Sequence, residues 1–196
     1  MEADAFERCV AGGGVVVFGA DTVYGLACDP GRRAAVERLY ALKGRAPDKP
    51  SAVMFFDVEL ALAAMPELGP RTRALMRRLL PGGVTLLLPN PRGRYPLAGG
   101  EVLGVRVPDV PALRGVRRAV LQSSANVAGA PDARRLEDVP EEIRAGADLV
   151  LDAGELPGTA STVIDLRRFE DAGEWEVVRA GAVAEEAVAR AVSAAA

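Results

Sequence analysis

The sequence contains no histidine and, among its 24 basic residues, only two lysines, Lys43 and Lys49. Without an imidazole, the chain cannot build a Ser-His-Asp or Cys-His nucleophile, a histidine-ligated zinc centre or histidine acid–base catalysis. Its two cysteines, Cys9 and Cys28, have neither a metal-site spacing nor the pattern of a disulfide framework, so reduced thiols are expected. Any chemistry must therefore use arginine, lysine, carboxylates, hydroxyls and the backbone.

Long apolar runs, a basic leader and a strong net charge are also missing. No apolar run approaches the ~20 residues needed to span a bilayer, and the acidic start at Glu2 and Asp4 is unlike a signal peptide. We therefore expect a cytoplasmic protein without membrane contact. The formal net charge of −3 and the pI near 5.2 argue against a protein that coats nucleic acid, although they allow a local basic pocket.

The composition, with 49% hydrophobic and 26% charged residues, predicts one globular domain over residues 1–196. Short apolar stretches alternate with amphipathic ones, which indicates an α/β or α+β fold. Strands are predicted near 15–18, 52–56, 84–88, 103–107, 119–123, 148–151, 162–166 and 175–179. Helices are predicted from an Asp4 N-cap to Gly12 and near 32–43, 58–64, 71–80, 110–117, 136–145 and 183–194. The proline-rich segment 89–100 is predicted to be a mobile loop.

The two lysines lie six residues apart, in a segment that also contains Arg45. A helix that ends in Lys43-Gly44-Arg45 beside a strand can bind a polyphosphate, because an ammonium group acts as a point charge and a guanidinium binds bidentately. The alternative is a solvated helix end whose basic residues complement the helix dipole.

Small polar side chains follow the apolar strand near 119–123, namely Ser123, Ser124 and Asn126. Free backbone N–H groups and small side chains at a strand end let a ligand approach. The alternative is a turn that caps the next segment.

Arg106 lies inside an otherwise apolar strand, so its charge must meet an internal carboxylate or an anionic ligand, and the sequence favours neither. The hydroxyl-rich run that includes Ser161 and the arginine that closes the last strand, Arg179, fit either binding or ordinary turns.

Taken in order, these pieces resemble the YrdC-like threonylcarbamoyl-adenylate synthases, from about residue 4 to residue 183. The motifs that carry the resemblance are Asp21-Thr22-Val23-Tyr24-Gly25-Leu26, Lys43-Gly44-Arg45, Lys49-Pro50, Pro81-Gly82 with Thr85-Leu86, Val105-Arg106-Val107-Pro108, Ser124-Ala125-Asn126, Ser161-Thr162-Val163 and Arg179-x-Gly181-Ala182. The chain is similar to the short, single-domain members, which lack the extra C-terminal domain of the long ones.

The resemblance implies a YrdC-like (DHBP-synthase-like) fold, in which helices flank a twisted mixed parallel and antiparallel sheet around a concave basic cavity. It also implies a nucleotidyltransferase that makes L-threonylcarbamoyl-AMP from L-threonine, bicarbonate and ATP, releases pyrophosphate and uses Mg²⁺ on the phosphates. The product would serve threonylcarbamoyladenosine modification of tRNA through downstream transferase proteins. Such chemistry depends on positioning and charge stabilisation and needs no protein nucleophile.

By motif position, the resemblance implies roles for ten residues. Those implied to be catalytic are Lys43 and Arg45, with Lys43 lining the ATP cavity. Those implied to bind ATP are Arg45, Lys49, Ser124, Asn126 and Arg179. Those implied to bind L-threonine are Thr22, Arg106, Ser123 and Ser161, with Arg106 pairing with the carboxylate. No side-chain metal ligand is implied.

The chain departs from the usual family pattern at Gly19-Ala20, where Pro-Thr is usual, and at Asp132-Ala133-Arg134, where Ser-Pro-Thr is usual. The second change replaces a phosphate-facing hydroxyl by a carboxylate, and one lost hydrogen bond to a charged group costs ~1.5–3 kcal/mol. Two alternatives stay open. One is a non-catalytic RNA-binding or ribosome-associated module, and the other is a carbamoyl-adenylate enzyme with a different acceptor.

Overall fold

The computed structural model describes residues 2–46 and 49–194, and within these ranges it contains nine strands and seven α-helices. The strands are β1 (Val16–Gly19), β2 (Tyr24–Cys28), β3 (Ala52–Met54), β4 (Val84–Pro89), β5 (Val102–Arg106), β6 (Val120–Ser124), β7 (Leu149–Leu151), β8 (Thr162–Asp165) and β9 (Glu176–Arg179). The helices are α1 (Glu2–Ala11), α2 (Arg33–Lys43), α3 (Val58–Ala64), α4 (Pro70–Leu79), α5 (Glu141–Gly146), α6 (Phe169–Ala172) and α7 (Glu185–Ser193).

All nine described strands form one sheet in the order β7-β1-β2-β6-β3-β5-β4-β8-β9. The pairs β1–β7, β3–β5 and β4–β8 are parallel, and the remaining neighbours are antiparallel. The predicted mixed sheet with flanking helices is therefore confirmed.

The alternation of side chains along the central strands separates the two faces of the sheet. In β5, Leu103 and Val105 are buried in the main core, where they join apolar side chains from α2, α3, α4, α6 and α7. Gly104 and Arg106 point to the opposite face. That face is covered on its β1 side by α1, whose Phe6 ring packs edge-on against Phe18 with centroids 5.3 Å apart.

Most predicted elements are confirmed to within two residues, but β2 was missed because all five of its residues are buried and show no alternation. The predicted helix near 110–117 is wrong, since only a 3-10 turn forms at Pro111–Leu113. The predicted helix near 136–145 is divided at Pro140, whose ring cannot sit in a helix interior. The Asp4 cap is also wrong, because α1 begins at Glu2 and places Asp4 in its first turn.

The segment after β4 is an irregular loop, as expected, and Asn90 ties its base together. The Asn90 Nδ2 group donates to the carbonyls of Arg94 and Gly100 at 2.9 and 2.8 Å, and its Oδ1 accepts from the Arg94 N–H at 2.9 Å. Tyr95 packs edge-on against Phe55, which anchors the loop to the core. The mobility of this loop stays a prediction.

Among the helices in residues 2–46 and 49–194, none is both long enough and apolar enough to cross a bilayer.

Candidate active site

A cavity of about 390 Å³ opens on the sheet face that the main core leaves free. Alternate residues of β4 and β5 face it, and the strand residues that line it are Ala52, Thr85, Leu87, Val102, Gly104, Arg106, Gln122, Ser123, Ser124, Val163 and Arg179. Residues between the elements complete the wall, including Arg45, Ser51, Asp132 and Ser161. The charged lining groups in the described chain are three guanidiniums and one carboxylate.

Arg106 lies at one end of the cavity, with only 3% of its surface exposed. Its Nη2 donates to Asp21 Oδ1 and to Thr22 Oγ1, both at 2.5 Å. Burial lowers the pKa of Arg106, and the charge and hydrogen bond of Asp21 oppose that shift. The Arg106 Nε is buried and has no hydrogen-bond partner among the described residues. The guanidinium thus has an internal carboxylate, and Arg106 also lines the cavity.

Thr22 supports Arg106 from behind. Its hydroxyl accepts the guanidinium hydrogen bond, its surface is 1% exposed, and it does not line the cavity. Thr22 therefore lies behind the residues that line the cavity, because the turn at 19–23 is buried. Its implied contact with threonine stays a prediction. Asp21 Oδ2 accepts from the Asp109 N–H at 3.1 Å, so the same turn also holds the segment after β5.

Lys43 is fully buried at the end of α2 and also does not line the cavity. Its ammonium donates to Asn126 O at 2.8 Å, to Asn126 Oδ1 at 3.0 Å and to the Ser124 carbonyl. Burial, and secondarily the charge of Arg45, lowers its pKa to about 8, against an opposing effect of Asp132. These three acceptors use the ammonium donors inside the protein, and the catalytic role implied for Lys43 stays a prediction. Lys43 fastens the loop after β6 to α2.

The loop after β6 is held by its own polar side chains as well. Ser124 Oγ donates to Asn126 Oδ1 at 2.6 Å, and Asn126 Nδ2 donates to the Ala130 carbonyl at 2.5 Å. Ser123 and Ser124 line the cavity, whereas Asn126 is 7% exposed and lies behind it. The loop thus presents two hydroxyl side chains on a rigid frame.

Arg45 also lines the cavity and follows the left-handed Gly44 that ends α2. Its Nη2 donates to the Pro50 carbonyl, and the guanidinium carbon lies 5.9 Å from the centre of the Tyr40 ring. Its Nε is buried without a partner among the described residues. Lys49 is exposed and outside the lining, so the structure brings Arg45 but not Lys49 to the cavity.

Ser161 and Arg179 form the wall on the β8–β9 side. The Ser161 and Thr85 hydroxyls share a hydrogen bond of 2.7 Å, and Arg179 Nη2 donates to the Ser161 carbonyl at 2.7 Å. Gly181 allows this close approach, because a Cβ there would lie 2.3 Å from the Ala160 carbonyl oxygen.

Sequence reasoning missed three residues that help to form the site. Thr85 and Gln122 line the cavity, and Asp21 orients Arg106. A polar residue within an apolar strand is the available signal for the first two, as it was for Arg106. Asp21 stands in one of the quoted motifs, but its pairing with Arg106 had no local signal, since the two residues are 85 positions apart.

The mixed sheet and its polar, arginine-lined cavity define an α/β protein of the YrdC-like class. The chain matches the Sua5/YciO/YrdC family model, described as "Telomere recombination", over residues 8–181. It therefore belongs to the Sua5/YciO/YrdC family, and the resemblance noted from its motifs is confirmed.

Individual relatives agree with this placement. The chain is 36% identical over 156 residues to the threonylcarbamoyl-AMP synthase of Nitrosococcus oceani, which covers 74% of this chain and 81% of the relative. It is 33% identical over 158 residues to the Bacillus subtilis protein of the same name, covering 76% of this chain and 46% of the relative. The solved structure of P. abyssi Sua5 complexed with L-threonine matches with a TM-score of 0.84 and 28% identity, over 97% of this chain and 58% of that one.

Proposed function

We propose that this protein synthesises L-threonylcarbamoyl-AMP from L-threonine, bicarbonate and ATP, with release of pyrophosphate. The observation that carries the proposal is that one cavity is lined by two separate arginines, Arg106 and Arg45, with a third, Arg179, beside them. Two anionic groups of one reaction complex would pair with Arg106 and Arg45. The names of the N. oceani and B. subtilis relatives support this reaction, as does the threonine bound to P. abyssi Sua5.

Arg106 would bind the carboxylate of threonine. Its guanidinium is held by Asp21 and Thr22, so little side-chain entropy remains to be lost when a ligand binds. The nearby hydroxyls of Ser123 and Ser161 would hold the polar groups of the amino acid.

Arg45, Ser124 and Arg179 would bind the nucleotide, with Arg45 on the phosphates. Lys43 and Asn126 would act as positioning residues, because their polar groups already hold the loop that carries Ser124. Lys49 is exposed next to the lining residue Pro50 and would contact the phosphates from the solvent side of the cavity.

The chemical step then needs no protein nucleophile. The threonine amine adds to carbon dioxide derived from bicarbonate and loses a proton, which gives a carbamate. A carbamate oxygen forms a bond to the α-phosphorus as the bond to the β-phosphate oxygen breaks, and pyrophosphate leaves. Arg45 would stabilise the charge that develops on the phosphates, which is the main contribution a protein makes to such a transfer. Mg²⁺, when bound, would supply further charge neutralisation on the phosphates. The product would pass to a transferase that modifies tRNA.

Two other functions were considered from the sequence. An RNA-binding module is not favoured, since the relatives above are named as synthases. An enzyme with a different acceptor would release pyrophosphate without needing threonine.

The deciding experiment measures pyrophosphate release from ATP and bicarbonate, with and without L-threonine, together with mass spectrometry of the product. We expect threonine-dependent release and the mass of threonylcarbamoyl-AMP. Release that does not depend on threonine would overturn threonine as the acceptor, and no release would overturn the synthase itself.

A further inference from the structure

Asp132 is the one carboxylate among the lining residues in the described part of the chain. It is half-buried, and no hydrogen bond or ion pair in residues 2–46 and 49–194 involves its side chain. Other aspartates at partly buried positions are paired, as Asp21 is with Arg106 and Asp165 with Arg167. This partly exposed carboxylate therefore has acceptor oxygens that are open to a group that a ligand brings.

The backbone around Asp132 holds this carboxylate in place. The next residue, Ala133, is 1% exposed, and its carbonyl accepts from the Tyr24 N–H at 2.9 Å. The Arg134 carbonyl then accepts from the Leu156 N–H at 2.9 Å. These two contacts hold the backbone that follows Asp132, so the residue stays at the cavity wall.

Asp132 belongs to the end of the cavity that carries Arg45. Its negative charge raises the pKa of Lys43 against the larger lowering by burial and by Arg45, so the three charged groups are neighbours. A triphosphate bound by Arg45 would therefore bring negative charge next to Asp132. Two anionic groups at close range in a partly dry site repel each other unless a cation lies between them.

We propose that Asp132 binds the divalent cation that accompanies the ATP phosphates, so that the protein selects metal-bound ATP over metal-free ATP. This inference rests on the proposed function, because it assumes that the nucleotide occupies this cavity. Mg²⁺ commonly takes one or two carboxylates and completes its coordination with substrate phosphates and water. The described residues contain no cluster of three or more His, Cys, Asp or Glu side chains that could hold a metal ion, so the cation arrives with the nucleotide. A serine, usual at this position in the family, would not impose this selection.

The test measures the dissociation constant of a nonhydrolysable ATP analogue by titration calorimetry, once with excess Mg²⁺ and once with EDTA. For the unaltered protein we expect binding at least about tenfold tighter with Mg²⁺, because the Asp132 carboxylate repels a triphosphate that carries no metal ion. We call the dissociation constant in EDTA divided by that in Mg²⁺ the Mg²⁺ ratio. In Asp132→Ser and Asp132→Asn the Mg²⁺ ratio should fall towards one, mainly because binding of the metal-free analogue becomes tighter. The exposed Asp171→Asn on α6, outside the cavity lining, is the matched control and should keep the original ratio.

A second readout uses Mn²⁺ in place of Mg²⁺ and follows water-proton relaxation of the bound complex. Direct coordination by Asp132 displaces one water from the metal, so Asp132→Ser should increase the relaxation enhancement relative to the unaltered protein. Unchanged melting temperatures would show that all variants fold.

Equal Mg²⁺ ratios in the unaltered protein and both Asp132 variants would overturn the inference while leaving the proposed function intact. A loss of threonine affinity in the variants, with the ratio unchanged, would assign Asp132 to the substrate ammonium group and also overturn it. If no form binds the analogue, the proposed function fails, and this inference fails with it.

Discussion

Asp21 and Arg106 form a buried ion pair across 85 residues of sequence, with Oδ1 and Nη2 2.5 Å apart. The two side chains are only 11% and 4% exposed. The pair connects the turn between β1 and β2 to the end of β5 and fixes a guanidinium at the wall of the cavity. It therefore contributes both to the fold and to the site.

Removal of the charge of Asp21 should destabilise the protein strongly. Asp21→Asn leaves the buried Arg106 guanidinium without a counter-charge, and breaking a buried pair in this way costs about 3–5 kcal/mol. The free energy of unfolding in urea measures this loss. The control is Asp109→Asn, whose exposed pair with Arg114 should contribute less than about 1 kcal/mol. Similar losses in the two variants would show that burial of the Asp21–Arg106 pair does not increase its contribution to the free energy of unfolding.

Truncation of Arg106 should weaken threonine binding more than ATP binding. Arg106→Ala removes a guanidinium that lines the cavity, so the KM for threonine should rise by at least about tenfold, the effect of losing a charge-assisted hydrogen bond of about 1.5 kcal/mol. The KM for ATP should change much less. Steady-state pyrophosphate release with each substrate varied in turn checks this, and equal changes in both constants would remove Arg106 from the threonine site.

Truncation of Arg45 should reduce turnover. If Arg45 stabilises charge that develops on the phosphates, Arg45→Ala lowers kcat by at least about 100-fold, comparable to the loss of one oxyanion-hole donor. Arg78→Ala, at an exposed position of α4 outside the cavity, provides a matched arginine control that should keep full activity. A kcat for Arg45→Ala within a few-fold of the control contradicts the assignment.

The buried Lys43 should make stability depend on pH in the alkaline range. Its pKa is lowered from 10.5 to about 8 in the folded protein, so between these values the unfolded chain binds the additional proton and the free energy of unfolding rises with pH. The full contribution is present above 10.5 and is lost as the pH falls through about 8.

Urea unfolding of the unaltered protein and of Lys43→Met at pH 7.5 and pH 10 checks this prediction. The difference in stability between the two proteins should move by on the order of 1–3 kcal/mol in favour of the unaltered protein at the higher pH. The comparison cancels the titration of the buried Cys28 thiol and of Tyr24, whose pKa values are raised. A constant difference would show that Lys43 titrates normally.

The strength of local patterns decided how much of the fold was predictable. Strand β4 is a short apolar stretch between proline and glycine residues that mark turns. Helix α2 has apolar residues at helical spacing and ends at Gly44. Both elements were therefore located from the sequence. Strand β2 was not, because a strand buried on both faces has no period of two. In the 110–117 segment, one 3-10 turn is enough to bury Leu113 against α1. A full helix is not needed for this packing and does not form.

The residues of the candidate site were also only partly predictable from the sequence. Arg45, Arg106, Ser123, Ser124, Ser161 and Arg179 were predicted from sequence and do line the cavity. Lys43 and Thr22 were assigned to ligand contact, yet both are buried behind the lining, because the direction of a side chain depends on partners far away in the chain.

The sequence by itself determined the class of chemistry and the family. The absence of histidine excluded imidazole catalysis, the concentration of both lysines beside Arg45 indicated an anion site, and the ordered motifs identified the Sua5/YciO/YrdC family. Only the tertiary structure decided which polar groups face the cavity and which hold others in place. The physical reason is that the partners of Asp21 and Lys43 are set by the order of strands in the sheet, and long-range contacts of this kind leave no local signal in the chain.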